Sequence, residues 1–347
     1  MQIPRRVREL GVTVGTLPTG PLNAITDVPG VRVGQTTIST GELQTGVTAI
    51  VPDGFAGGLP AAIAVGNGYG KLVGSTQVDE LGVIETPILL TGTLSVFRVA
   101  DALLTWLLDR DPLATSLNPV VGETNDGHLS DIRRRPITPD DVHAALDSAS
   151  TDLPAEGCVG AGTGTAALGF KAGIGTSSRA VSSGTIGVLV QTNFSGTLTV
   201  LGTPIPAAGD ADPGVREMSD RRDASRGDDP GPDDGNSCMI VVATDLPLDA
   251  RQVGRVARRA IFAMGRVGSD YAPGSGDYAI AFTTNRTPGF SDRDLRAPFQ
   301  ATTESVEEAL LNSLTMATTT TGFQGHTAHA VSHDLVRSRL ASAGTLS

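Results

Sequence analysis

The chain has 347 residues with 26 Lys and Arg against 37 Asp and Glu, for a formal charge of −11. That acidity argues against nucleic acid or an anionic membrane as partner, and no run approaches the roughly 20 apolar residues of a membrane span. Two cysteines, Cys158 and Cys238, make no disulfide framework, and no apolar stretch follows the basic start Arg5-Arg6-Val7-Arg8, so a reduced, cytoplasmic setting is expected.

Residues 22–34 and 45–52 read as strands punctuated by Pro and Gly, and 61–65 and 88–91 are shorter strands around the Gly-rich stretch 66–70. Residues 95–108 have helical spacing, with Val96, Val99, Leu103, Trp106 and Leu107 on one side. Residues 120–126 read as a strand ending in a polar turn, and 139–148 as a helix with an acidic start. A Gly-rich block covers 157–175, and 185–192 is a strong strand that ends at Asn193. Residues 208–236 are rich in Asp, Arg, Gly and Pro, and the apolar, β-branched run from Ser237 follows abruptly. A helix over 249–265, a Gly-Ser-Gly-Asp turn at 274–277, a strand over 278–283, a helix over 305–318 and a polar tail complete the chain. Strands predominate without regular βαβ alternation, which favours sheets stacked between helical layers over a doubly wound sheet.

The block Gly160-Ala161-Gly162-Thr163-Gly164 lacks the preceding strand of a dinucleotide fingerprint, and position 179 is Arg where an acid belongs. Lys171 is the one charge in that block, a structural residue or a supporting charge for a nearby group. His326, His329 and His333 have a spacing that suits a metal on a helix, but the surrounding Gly and Thr favour solvated histidines. No Gly-x-Ser-x-Gly elbow is present. Ser237 reads either as a turn residue entering a strand or, were the Asn236–Ser237 bond cut, as an N-terminal nucleophile with its own α-amino group as base. Asn193 is either a strand terminator or an oxyanion donor, and Glu123 either a turn carboxylate or a partner for a substrate ammonium.

Taken together, NAITDVPGVRVG (23–34), TGVTAIVP (45–52), PVVGETNDGHLSDI (119–132), VGAGTG and GFKAGIGTSSR within 159–179, IGVLVQTNFSG (186–196), SCMIVVATDLPL (237–248) and GSGDYAIAFTT (274–284) resemble the autoprocessing aminopeptidases. That group is typified by L-aminopeptidase D-Ala-esterase/amidase and β-peptidyl aminopeptidase, with nylon-oligomer hydrolase among its members. The resemblance implies one four-layer αββα sandwich over 1–347, of mixed α/β class and similar to N-terminal-nucleophile hydrolases. It implies a cut into an α part (1–236) and a β part (237–347), and a homo-oligomer of αβ units, tetrameric or larger. It assigns Ser237 as nucleophile, Asn193 as oxyanion donor, Ser275 and Asp277 as the pair that orients the new amine, and Glu123 as the site of the substrate amino group. Asn125, with His128 nearby, stands where relatives often carry an aromatic, and Asn236 precedes the cut where the aminopeptidases commonly have Gly.

The expected activity is release of N-terminal residues from short peptides, amides or esters, β-amino acids included, through an acyl-enzyme and with no metal or organic cofactor. Two alternatives follow from the departures: an endo-type amidase acting on ω-amino-acid oligomers, suggested by Asn236, and a silent binding homologue, suggested by the missing aromatic.

Overall fold

The computed structural model describes residues 2–207 and 237–346; the acidic segment and Asn236 lie outside the described residues. In chain order the main strands are β1 (Val31–Thr40), β2 (Leu43–Pro52), β3 (Leu59–Gly68), β4 (Val83–Ile84), β5 (Ile88–Gly92), β6 (Val120–Thr124), β7 (Ile174–Val181), β8 (Gly184–Asn193), β9 (Ser237–Thr244) and β10 (Gly276–Thr283). The helices are α1 (Ser75–Leu81), α2 (Val96–Leu108), α3 (Pro139–Asp147), α4 (Ala250–Met264), α5 (Arg296–Thr315) and α6 (His333–Ser342). A four-stranded sheet runs β1-β2-β5-β6, and a six-stranded sheet runs β4-β3-β10-β9-β8-β7. Neighbours are antiparallel except β5 with β6 and β9 with β10.

Side-chain alternation explains why these strands read as continuous apolar runs. In β9, Cys238, Ile240 and Val242 join Val253, Val256 and Ala257 of α4 and Val306 and Leu310 of α5. Met239, Val241 and Ala243 face the other way, onto Ile50, Ile88, Leu90 and Val120 of the four-stranded sheet. That sheet's other face buries Val47, Ala49, Val51 and Leu89 under Val99 and Leu103 of α2 and Val142 and Leu146 of α3. Helices, sheet, sheet and helices therefore stack in four layers, the expected αββα order, and both sheets are covered on both faces.

Local signals set the ends. β1 turns into β2 through Gly41-Glu42, with Gly41 at φ +55°, a conformation glycine adopts freely. Asp249 caps α4 by accepting from Gln252 N at 2.7 Å while Gln252 Oε1 accepts from Asp249 N at 3.1 Å. The region 22–27, read as strand, forms a short 3-10 turn because the Asp27 carboxylate takes the Leu22 and Ala24 N–H groups at 2.9 and 3.0 Å. α5 starts nine residues before the expected Ser305; Pro298 sits in its first turn, where no intrahelical N–H is required. The polar tail contains α6, whose Val336 and Leu340 enter the core. No helix among the described residues is long and apolar enough to cross a membrane.

Candidate active site

Three strand ends converge at one edge of the layer between the sheets. Ser237, the first residue of β9, lies directly across from Asn193, the last residue of β8. By alternation Ser237 shares the intersheet face of Met239 and Val241, and Asn193 that of Leu189. The third end is the start of β10, where Gly276 N donates to Ser237 Oγ at 3.2 Å. Glycine is required there: a Cβ would stand 3.1 Å from Ser237 Oγ and 2.8 Å from Tyr69 O. Ser237 itself is only 4% exposed.

Asn193 Oδ1 accepts from Ala166 N at 3.1 Å, which fixes which way the amide faces. Its Nδ2 is buried and has no acceptor among the described residues, so a donor stands ready beside the serine. On the other flank, Ser275 Oγ donates to Asp277 Oδ1 at 2.7 Å, while Asp277 Oδ2 is buried and makes no well-formed hydrogen bond among the described residues, with the Asn67 amide and the Cys238 N–H nearby. Parallel pairing of Asp277 with Cys238 brings this carboxylate beside the start of β9. Burial pushes the Asp277 carboxyl up to about 6, against hydrogen bonding from Ser275, Asn67 and the Cys238 backbone. The same carboxylate and, more strongly, burial push the Cys238 thiol up, so it is an inert core group.

Glu123 is the penultimate residue of β6, on the far side of Gly70. Its Oε1 accepts from Lys71 N at 3.0 Å, and Lys71 Nζ lies 3.6 Å away. A Cβ on Gly70 would meet Glu123 Oε1 at 3.1 Å and Gly276 Cα at 3.3 Å, so this bare backbone separates Glu123 from the serine's neighbour. The span from Glu123 Oε1 to Ser237 Oγ is then roughly 11 Å at most. Asn125 is exposed and turned to its own loop, accepting from Gly127 N at 2.9 Å. Asp126 is buried, its Oδ2 has no partner among the described residues, and burial, with the Glu123 charge adding to it, pushes it up to about 6.

Gln191 went unremarked in the sequence. Its Nε2, with two N–H donors, lies within hydrogen-bond range of Thr91 O at 3.1 Å, Thr124 Oγ1 at 2.8 Å and Ala161 O at 2.9 Å, tying the two sheets together two residues from Asn193. A polar amide near the end of an otherwise apolar buried strand was the available signal. Lys171 is fully buried and donates to the carbonyls of Gly162 (3.2 Å) and Ala172, and burial lowers its pKa; none of these partners is a site residue. His333 departs from the expectation of a solvated residue: it starts α6, is 7% exposed, and its Nε2 meets Thr315 O at 2.9 Å. His326 stacks on His128 at 4.8 Å, and no group of three or more metal-ligating side chains occurs among the described residues.

Residues 23–328 match the model of Peptidase family S58. The chain belongs to peptidase family S58. Among S58-like relatives, the β-peptidyl aminopeptidase BapA of Sphingosinicella xenopeptidilytica is 41% identical over 95% of this chain and 89% of its own length. The solved structure of the L-aminopeptidase D-Ala-esterase/amidase of Ochrobactrum anthropi, described as a prototype for the serine aminopeptidases and a variant of the Ntn hydrolase fold, has a TM-score of 0.85 at 34% identity over 99% of both chains. A Burkholderia sp. β-aminopeptidase structure has a TM-score of 0.85 at 33% identity, covering 98% of this chain and 99% of that one. The four layers are therefore the Ntn-hydrolase-like fold of these peptidases, and this S58 member is an enzyme of the aminopeptidase/amidase class.

Proposed function

We propose that the chain cuts itself before Ser237 and then acts as a serine aminopeptidase on short peptides, amino-acid amides and esters, β-amino-acid substrates included. The observation that carries this reading is the cross-strand pair Ser237–Asn193, a serine at a strand start facing a buried, unengaged amide donor. In the uncut chain the Ser237 hydroxyl attacks the Asn236 carbonyl, the acyl group moves from nitrogen to oxygen, and water hydrolyses the ester. The freed α-amino group, with an ordinary pKa of about 8, then takes the hydroxyl proton. Asp277 Oδ2 receives that amine, and Ser275 holds the carboxylate through its hydrogen bond. The substrate ammonium meets Glu123, Ser237 Oγ attacks the carbonyl, and Asn193 Nδ2 donates to the oxyanion. The amine leaves with the proton, and water releases the acyl group. The chemistry calls on protein groups alone.

A single αββα unit of two interlocked pieces, assembled as a homo-oligomer in the cytoplasm, is part of the same reading; the unpaired state of both described cysteines supports the compartment. Intact-mass measurement of the purified protein tests the core of it. Two polypeptides are expected, the smaller beginning at Ser237, together with hydrolysis of aminoacyl p-nitroanilides. An uncut, inactive chain would overturn the reading.

A further inference from the structure

The loop between β3 and α1 does more than cover Gly276. Its Lys71 reaches over Glu123, with the amide N–H on Oε1 at 3.0 Å and the ammonium 3.6 Å from the same oxygen. The ammonium makes one short hydrogen bond, to Thr93 Oγ1 at 2.8 Å. A lysine has three N–H donors, and this side chain is 44% exposed against 3% for Glu123, so a donor remains free to meet a ligand. Both Lys71 contacts fall on Oε1, which leaves Oε2 of Glu123 for an incoming cation.

An anionic acceptor and a cationic donor therefore stand side by side, 3.6 Å apart, across Gly70 from the nucleophile's neighbour Gly276. That spacing is close to the roughly 3 Å between an ammonium nitrogen and a carboxylate oxygen carried on one carbon. A plain peptide N-terminus would use only Glu123. A residue whose amine-bearing carbon also holds a free carboxylate would use both charges. Aspartate linked through its side chain is such a residue, and its scissile carbonyl lies one methylene away, so it is also a β-aminoacyl group.

Building on the aminopeptidase reading above, we propose that Glu123, Lys71 and Thr93 form a zwitterion subsite, and that the enzyme removes β-linked aspartyl residues from peptide N-termini. The ammonium meets Glu123. The α-carboxylate accepts from Lys71 Nζ and from the Thr93 hydroxyl, whose oxygen already receives Lys71. Ser237 Oγ forms a bond to the side-chain carbonyl carbon and the C–N bond breaks. The leaving amine takes the proton that the Ser237 α-amino group drew from the hydroxyl. Water then cleaves the ester, releasing free aspartate and restoring the serine.

The test compares β-aspartyl, β-alanyl and α-aspartyl p-nitroanilides on the cut enzyme. We expect kcat/KM for the β-aspartyl substrate to be at least equal to that for β-alanyl and about tenfold above that for α-aspartyl. Lys71→Met should lower the β-aspartyl to β-alanyl ratio about tenfold or more, mainly through KM, and Lys71→Arg should restore most of it. Melting curves of both variants separate this from misfolding. Turnover of β-alanyl without β-aspartyl substrate, or a ratio that Lys71→Met leaves unmoved, overturns the subsite and spares the aminopeptidase reading. Failure of the cut enzyme on all three substrates and on α-aminoacyl p-nitroanilides overturns both.

Discussion

Arg179, Glu304 and Glu308 satisfy one another's buried charges, whereas beside Ser237 two buried polar side chains keep an atom without a partner among the described residues. Arg179, with no exposed side-chain surface, donates to Glu304 at 3.2 Å and Glu308 at 2.6 Å. Glu304 also accepts from Thr16 N, Leu17 N and Gln300, and Glu308 from Arg8 and Asn23, so each of their four oxygens is bonded. Beside Ser237, Asn193 Nδ2 and Asp277 Oδ2, and beside Glu123, Asp126 Oδ2, are equally hidden and make no well-formed hydrogen bond among the described residues. An unpaired buried polar atom carries an uncompensated desolvation cost of about 1–3 kcal/mol. Such atoms also occur on α5, at Ser305 and Thr315, so it is their position beside the serine that singles out those of Asn193 and Asp277. The contrast separates groups that hold the N-terminal segment to α5 from groups that, under the proposed function, meet a reactant.

The sharpest way to break this contrast is Ser237→Ala. It should leave one uncut polypeptide and lower turnover by about 10⁴-fold or more, read by intact mass and p-nitroanilide hydrolysis; cleavage in this variant would move the nucleophile elsewhere. Arg179→Met tests the other region. Removing one partner of a buried ionic network should cost about 3–5 kcal/mol of stability, read by denaturant unfolding, with kcat of the folded enzyme unchanged. A drop in kcat with unchanged stability would erase the distinction. Asn193→Ala is the mirror image: kcat should fall about 10²–10³-fold, with a small change in melting temperature.

Asp126 gives a pH-dependent version. Its carboxyl lies near 6 in the folded protein, above its ordinary value of 3.8. The folded state therefore binds the extra proton, and this stabilisation is complete below about pH 4 and is lost as pH rises through about 6. The loss amounts to about 3 kcal/mol, so Asp126→Asn should gain stability relative to the parent between pH 4 and pH 7, and a constant difference would refute the assignment. The smallest effect belongs to Ser275→Ala. Its hydrogen bond holds the Asp277 carboxyl down against burial, so its loss should move the acid limb of kcat/KM to higher pH and lower kcat about tenfold.

The comparison also explains what could be read in advance. Strands announced themselves because both faces of both sheets are apolar, and Ser237 stood out where a polar segment meets such a strand. Asn193, Ser275 and Asp277 carry no local mark, since each is an ordinary turn residue until the register of β8, β9 and β10 sets it beside the serine. Lys71 and Gln191 were hidden for the same reason: their partners are 52 and 67 residues away in the chain. α5 was underestimated because its polar face, bearing Glu304 and Glu308, reads as solvated until Arg8 and Arg179 arrive from distant segments.

The position of β9 and β10 has a further consequence. They occupy the middle of the six-stranded sheet, flanked by β3 and β8, which come from the earlier part of the chain. A cut before Ser237 would leave two polypeptides interleaved within one sheet, neither able to keep its hydrogen-bond ladders without the other. Folding would then be a one-chain event and refolding a two-chain encounter, so recovery after denaturation would fall with dilution. The Ser237→Ala chain would recover independently of concentration. For the matured enzyme, persistence is then a matter of how slowly it unfolds, and the number of molecules per unit volume decides whether a melted sample returns.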